Sequence, residues 1–214
     1  VTSSCTGYMA PSWGTRVMGA CGVPHDAMRL PITEAGCAGG VVAMARAADY
    51  LRVSGDGYGL AVASELCSLA FHAGGDDGNI TSTLIFGDGA GAALLHAGAG
   101  DGLEIVDTMS VLVPESEHAL GFALTDQGFY PLLSRELPAL LPEPTRLAVQ
   151  SLLGRNALAA EDVGGWLLHP GGARILVELE RALGVCREQT RWSWASMAEY
   201  GNTSSAAIFD VVRR

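Results

Sequence analysis

The sequence predicts a layered α/β fold, and three observations carry that reading. Short apolar, β-prone runs alternate along the chain with longer stretches of helical periodicity. Glycine-rich junctions lie between them, 28 glycines among 214 residues, which suits tight turns and close backbone packing. One layout also occurs twice. "CAGGVVAMARAADYL" from Cys37 and "HPGGARILVELERAL" from His169 each follow a strand-like run, place one reactive residue before x-Gly-Gly, and reach a leucine fourteen residues on. The echo suggests two related halves that carry Cys37 and His169 at equivalent corners.

Taken in order, "VTSSC" is a β-prone start running into a turn, and "MRLPIT" (28–33) reads as a strand leading to Cys37. From Ala38 to Val53 a helix is expected, with Val41, Met44, Ala48 and Leu51 on one stripe. It is so rich in Ala and Gly that burial on several sides follows. "GLAVASEL" (59–66) is a continuous apolar run, as in a strand covered on both faces. "AGGDDGN" (73–79) reads as a loop. "GAGAALLHA" (89–97) and "LEIVDTMSVLV" (103–113) read as two strands joined by a Gly-rich turn, and 114–127 as an acidic loop. Residues 134–154 read as helical, broken near Pro142. "GGWLLH" (164–169) reads as a short buried strand, 173–183 as an amphipathic helix, and 204–212 as the last helix. The two halves divide at 1–98 and 99–214.

Composition removes several function classes. The net charge is −10, which argues against a general nucleic-acid binder and against a polybasic membrane surface. All 13 basic residues are arginine. Without lysine there is no Schiff base and no Walker A phosphate loop. The five cysteines are odd in number and widely spaced, without a CxxC, so neither a disulfide framework nor a zinc site is expected, and a reducing cytoplasm fits best. No signal peptide or membrane-spanning run is read. The chain starts at Val1 inside a strand-like run and stops at the close of a helical one, so both ends read as cut.

Cys37 is the thiol with a setting for chemistry. Ala38-Gly39-Gly40 opens a helix, leaves amide hydrogens free near the sulfur, and lets a substrate approach the backbone. A buried structural cysteine is the plain alternative. His169 leaves an apolar run into Pro-Gly-Gly, a place that faces a cleft in α/β folds; a satisfied core histidine is its alternative. Asn202, in "EYGNTSSA", reads as a cap or turn residue or as an amide donor for an oxyanion. Gly87, Gly89 and Ala92, with Asp107 twenty residues after Gly87, imitate a dinucleotide fingerprint. The stretch after them is too short for the crossover helix, so it reads as a turn into a strand with Asp88 structural.

With these residues placed, "GCAGG", "FGDGAGA", "HPGG" and "EYGNTSSA" together resemble the type III polyketide synthases, the chalcone-synthase-like branch of the thiolase superfamily, in family order over almost the whole chain. "CTGYMAP" resembles the bacterial members. The resemblance implies a thiolase-like layered α-β-α-β-α fold of two similar halves, incomplete at both termini. It implies that Cys37 takes an acyl group from an acyl-CoA starter as a thioester. His169 and Asn202 would stabilise the enolate left by decarboxylation of malonyl-CoA, and repeated condensation would end in cyclisation to an aromatic or pyrone polyketide. Phe71 would be one gatekeeping aromatic and Tyr130 the second, with Phe129 as competitor; Cys5 and Thr6 would line the cavity. No metal or redox cofactor is implied, only CoA thioesters as substrates, in a cytoplasmic homodimer when full length.

Three other readings compete. A 3-oxoacyl-ACP synthase III would share the fold and the triad and make one condensation; "HPGG" favours the polyketide synthase, because the rival usually reads "HQAN" there. A papain-like thiol hydrolase has the same Cys, His, Asn order but a different cysteine motif. A truncated, non-catalytic paralogue could serve as a dimer partner.

Overall fold

The computed structural model describes residues 1–126 and 128–214. The first part of the chain runs β1 (Thr2–Ser3), α1 (Gly14–Cys21), β2 (Pro31–Ile32), α2 (Gly39–Ser54), β3 (Tyr58–Glu65), α3 (Asp77–Ile85) and β4 (Gly89–His96). The strands form one sheet in the order β2-β1-β3-β4. β1 lies parallel to β2 and to β3, whereas β3 and β4 pair antiparallel with Val62 opposite Ala92. Parallel neighbours need a long crossover, and the segment carrying α1, β2 and α2 supplies it.

One face of this sheet carries the core. Ala61 and Ala63 of β3 are buried with Ala43 of α2 and with Phe209 and Val211 near the end of the chain. Glycine makes that approach close: a Cβ on Gly91 would sit 2.6 Å from Cβ of Phe209. At the β4 edge the other face is open, with Ala90, Ala92 and Leu94 exposed. On β3 the alternate residues Leu60, Val62 and Ser64 are half-buried. α2 begins as its sequence suggests but buries a broader face, made of Ala43, Ala45, Ala47, Ala48 and Leu51, while Val41 is 48% exposed.

The rest of the chain is a hairpin and helices: β5 (Leu120–Thr125), β6 (Gly128–Leu133), α4 (Leu137–Leu140), α5 (Pro142–Arg155), α6 (Ala173–Leu183), α7 (Arg191–Tyr200) and α8 (Ala207–Arg213). β5 and β6 form a separate two-stranded sheet. α6 matches its expected bounds, closes at Gly184 with φ 68, and buries Leu176 and Leu179.

Four stretches differ from the sequence reading. Residues 103–113 form no strand. Their backbone carbonyls serve as acceptors instead: Arg52 donates to Val106 O at 3.1 Å, and Arg155 to Thr108 O at 3.0 Å. Residues 164–169 form no strand; Trp166 N donates to Gln189 O (2.9 Å) and Leu168 N to Ser193 Oγ (2.8 Å) instead. The loop at 73–79 ends in a helix start, where the Asp76 carboxylate accepts from Asn79 N as an N-cap. The acidic loop at 114–127 contains β5. α1 and α7 have no counterpart in the sequence reading.

Candidate active site

Cys37 sits in a 3₁₀ turn, Gly36–Ala38, that feeds directly into α2. Gly36 takes φ 54, a left-handed conformation that favours glycine. The next two glycines are set by packing. A side chain on Gly39 would strike Ser3 Oγ, and one on Gly40 would strike the Ser205 carbonyl. The turn of Cys37 is thereby pressed against the turn Ser204–Ala206.

That second turn comes from "EYGNTSSA". Asn202 is buried and bridged to Phe86: Asn202 N donates to Ile85 O and Gly87 N donates to Asn202 O, both at 3.0 Å. Its Oδ1 accepts from Ser204 N at 2.8 Å and its Nδ2 donates to Gly171 O at 3.3 Å. Ser204 is held at φ 52, unusual for a serine. There its Oγ lies 3.5 Å from Cys37 Sγ and 3.1 Å from Cys5 Sγ.

Cys37 opens into a cavity of about 990 Å³ that Cys5, Cys67, Phe71, Phe86 and Phe129 also line. Burial pushes the Cys37 thiol above its ordinary range, and hydrogen bonds from Ser204 and Asn202 pull the other way. Cys5 and Cys67 are each pushed up to about 12, first by burial and then by the charge of Glu65. His169 is not among the residues that line this cavity, and its ring nitrogens are buried. Burial lowers its imidazole to about 4, and neither ring nitrogen has a hydrogen-bond partner among the described residues. A Cβ on Gly171 would lie 3.6 Å from its Nε2, so His169 and the Asn202 amide meet at the same glycine. At pH 7 thiol and imidazole are both neutral. Desolvation disfavours the charged form of both groups.

The remaining residues chosen from sequence separate. Cys5 and Thr6 line the cavity floor, and Phe71, 59% exposed, stands at its mouth. Tyr130 is outside the lining: its ring packs on His72 and its hydroxyl accepts from Asp76 N at 3.4 Å. Its neighbour on the strand, Phe129, faces the cavity and meets Phe122 edge-on at 5.7 Å. Asp88 is structural, as read, and accepts from Ser68 N and Ser68 Oγ at 2.8 and 2.7 Å.

Two residues escaped the sequence reading. Phe86 walls the cavity and is bridged to Asn202. Glu65 ends β3 fully buried. It accepts from Cys5 N (3.1 Å), Thr6 N (3.2 Å) and Thr6 Oγ1 (2.8 Å), and from the Ser205 hydroxyl. A buried carboxylate needs such a cradle, and this one ties the cavity floor to the Ser204 turn. Among the described residues no cluster of His, Cys, Asp and Glu could hold a metal ion, and no helix is long and apolar enough to cross a membrane.

Residues 104–214 match the family model for chalcone and stilbene synthases, C-terminal domain. The chain belongs to the chalcone and stilbene synthase family. Residues 33–111 match the model for 3-oxoacyl-[acyl-carrier-protein] synthase III. The chain is 35% identical over 214 residues to 1,3,6,8-tetrahydroxynaphthalene synthase of Streptomyces coelicolor, covering 99% of this chain and 56% of that one. It is 31% identical to phloroglucinol synthase of Pseudomonas fluorescens, covering 62% of that protein. The solved structure of the Streptomyces coelicolor A3(2) tetrahydroxynaphthalene synthase, described as a bacterial type III polyketide synthase, superposes with a TM-score of 0.94 at 33% identity over 100% of this chain and 61% of that one. The chain thus has the thiolase-like fold of the chalcone and stilbene synthase family and spans roughly three fifths of the length of these relatives.

Proposed function

We propose that this chain carries the acyl-loading and condensing residues of a type III polyketide synthase, with Cys37 as nucleophile and His169 and Asn202 as oxyanion partners. The observation that carries the reading is the Cys37 sulfur, set in the turn that feeds α2, opening on an aromatic-walled cavity, and 3.5 Å from the hydroxyl of Ser204, whose backbone N–H the Asn202 amide oxygen holds. Family membership supports it.

In the first step Cys37 Sγ attacks the carbonyl of an acyl-CoA. The S–C bond to the enzyme forms, the bond to CoA breaks, and the thiol proton passes through His169 to the departing CoA sulfur. Malonyl-CoA then loses CO₂, and the electron pair left behind becomes an enolate. His169 and Asn202 donate to its oxygen, where neutral donors matter most because the charge exists only along the reaction path. The enolate carbon attacks the acyl-Cys37 carbonyl and the thiolate leaves. Phe71, Phe86, Phe122 and Phe129 keep water from both reactive species. Repeated extension and cyclisation to an aromatic or pyrone product, Cys5 and Thr6 as cavity-shaping residues, the division at 1–98 and 99–214, and a cytoplasmic homodimer that needs no metal or redox cofactor belong to the same proposal.

Incubation with an acyl-CoA and intact-mass analysis tests it. An acyl adduct that maps to Cys37 and vanishes in Cys37→Ala is expected; an adduct that persists in the variant sinks the assignment. The match of residues 33–111 to 3-oxoacyl-[acyl-carrier-protein] synthase III favours a second reading, one condensation per starter. Counting malonyl units in the product separates the two.

A further inference from the structure

The hydroxyls of α3 do not behave alike. Thr81 Oγ1 donates to Asp77 O at 2.6 Å and Thr83 Oγ1 to Asn79 O at 2.9 Å, the usual way a helical hydroxyl satisfies itself. Ser82, between them, does not. It is 5% exposed, it lines the cavity with Thr83 and Phe86, and its Oγ has no partner among the described residues. The other buried hydroxyls of the lining are engaged: Thr6 with Glu65, and Ser204 with Cys5 and Cys37. One turn earlier on the same helix, the Oδ1 of buried Asn79 is also unpartnered.

A buried hydroxyl without a partner is costly, and native proteins keep one only where something else completes it. The neighbouring walls are aromatic. A ligand suited to both would be flat and carbon-rich, with acceptor oxygens at intervals. From this we infer that Ser82 is a specificity-determining residue whose hydroxyl donates to a ketone or enol oxygen of the chain held in the cavity. The inference rests on the polyketide-synthase reading above, since a growing chain built from malonyl units bears an oxygen on every second carbon. A wall able to donate at that one point favours oxygenated intermediates over plain acyl chains of the same length. It also fixes which carbonyl lies beside α3 when the ring closes.

The test uses two probes: 4-hydroxy-6-methyl-2-pyrone, which carries oxygens on alternate ring carbons, and toluene, which is flat and carries none. Both are titrated by calorimetry into the wild-type chain and into Ser82→Ala, Ser82→Thr and Ser82→Val. Loss of one hydrogen bond predicts about tenfold weaker pyrone binding in the Ala and Val variants, with Thr retaining it and toluene unchanged throughout. Thr and Val have the same shape, so their comparison holds even if Ala repacks. Equal pyrone affinity in the Thr and Val variants overturns the inference and assigns the hydroxyl to a trapped water, and so does a wild-type chain that binds no pyrone. Acylation of Cys37, followed by mass in the same samples, keeps the two ideas apart. Its absence defeats the underlying reading; its presence with flat pyrone affinities defeats this one alone.

Discussion

At the scale of single residues, the histidine carries the strongest electrostatic consequence. His169 is held down to about 4 by burial, against an ordinary 6.5. Between those values the unfolded side chain binds a proton that the folded one refuses. Stability therefore falls as pH drops from about 6.5 toward 4, by up to about 3 kcal/mol, and this contribution levels off below. Denaturant unfolding at neutral and acid pH should show that slope, and His169→Gln should flatten it; a variant with the wild-type slope would place the proton elsewhere. The sequence let the reactive types be chosen but not their charge states. Cys37 and His169 were legible because each precedes glycines at the mouth of a helix, a local signal. Glu65 was not: an acid at the end of an apolar run reads as solvent-facing, and only Cys5, Thr6 and Ser205, distant in the chain, reveal it as buried. Tyr130 and Phe129 are adjacent on one strand and point to opposite sides, so a choice between them waited on the register of β6.

At the scale of elements, the tightest joint is between α2 and the turn that leads into α8. Gly40 leaves no room: a methyl there meets the Ser205 carbonyl, Ile208 Cγ2 at 2.8 Å and Phe209 Cε2 at 3.1 Å. Gly40→Ala is expected to cost about 2–3 kcal/mol by overpacking and to slow acylation of Cys37, which rides on the same turn. Gly7→Ala, with nothing within 4 Å, is the control and should leave the unfolding midpoint in place. A Gly40→Ala midpoint equal to the control's would mean that the two elements slide past each other freely. Long periodic helices such as α2 and α6 were legible because 3.6-residue spacing is written in the chain itself. The runs at 103–113 and 164–169 were misread because β-prone composition states a preference, while a strand exists only where another strand accepts its hydrogen bonds. α3 was lost to its own first turn, whose Asp, Gly and Asn look like loop until Asp76 is seen capping it.

For the whole molecule, surface chemistry sets behaviour in solution. Val53, Leu84, Leu103, Leu112 and Leu124 are each at least 80% exposed, more apolar surface than an isolated chain keeps in water without consequence. The net charge of −10 opposes association at low salt, and added salt screens it. Light scattering should therefore report a mass that rises above 22.2 kDa as salt is added; a constant monomer mass would refute this. The layered α/β class was legible in full, since alternation of element types survives local errors. Which face of the sheet is covered was not, because that depends on where Phe209 and Val211 return to the start of the chain. They return beside Ser204, which reaches Cys5 and Cys37 at once. A serine hydroxyl has a single hydrogen to give, so it can donate to one of those sulfurs and only accept from the S–H of the other. A thiolate at Cys37 would have no hydrogen to return, so it would claim the serine hydrogen and leave Cys5 its contact with Glu65 Oε2, 3.6 Å away. Cys5 and Cys37, far apart in sequence, thus share one serine rotor.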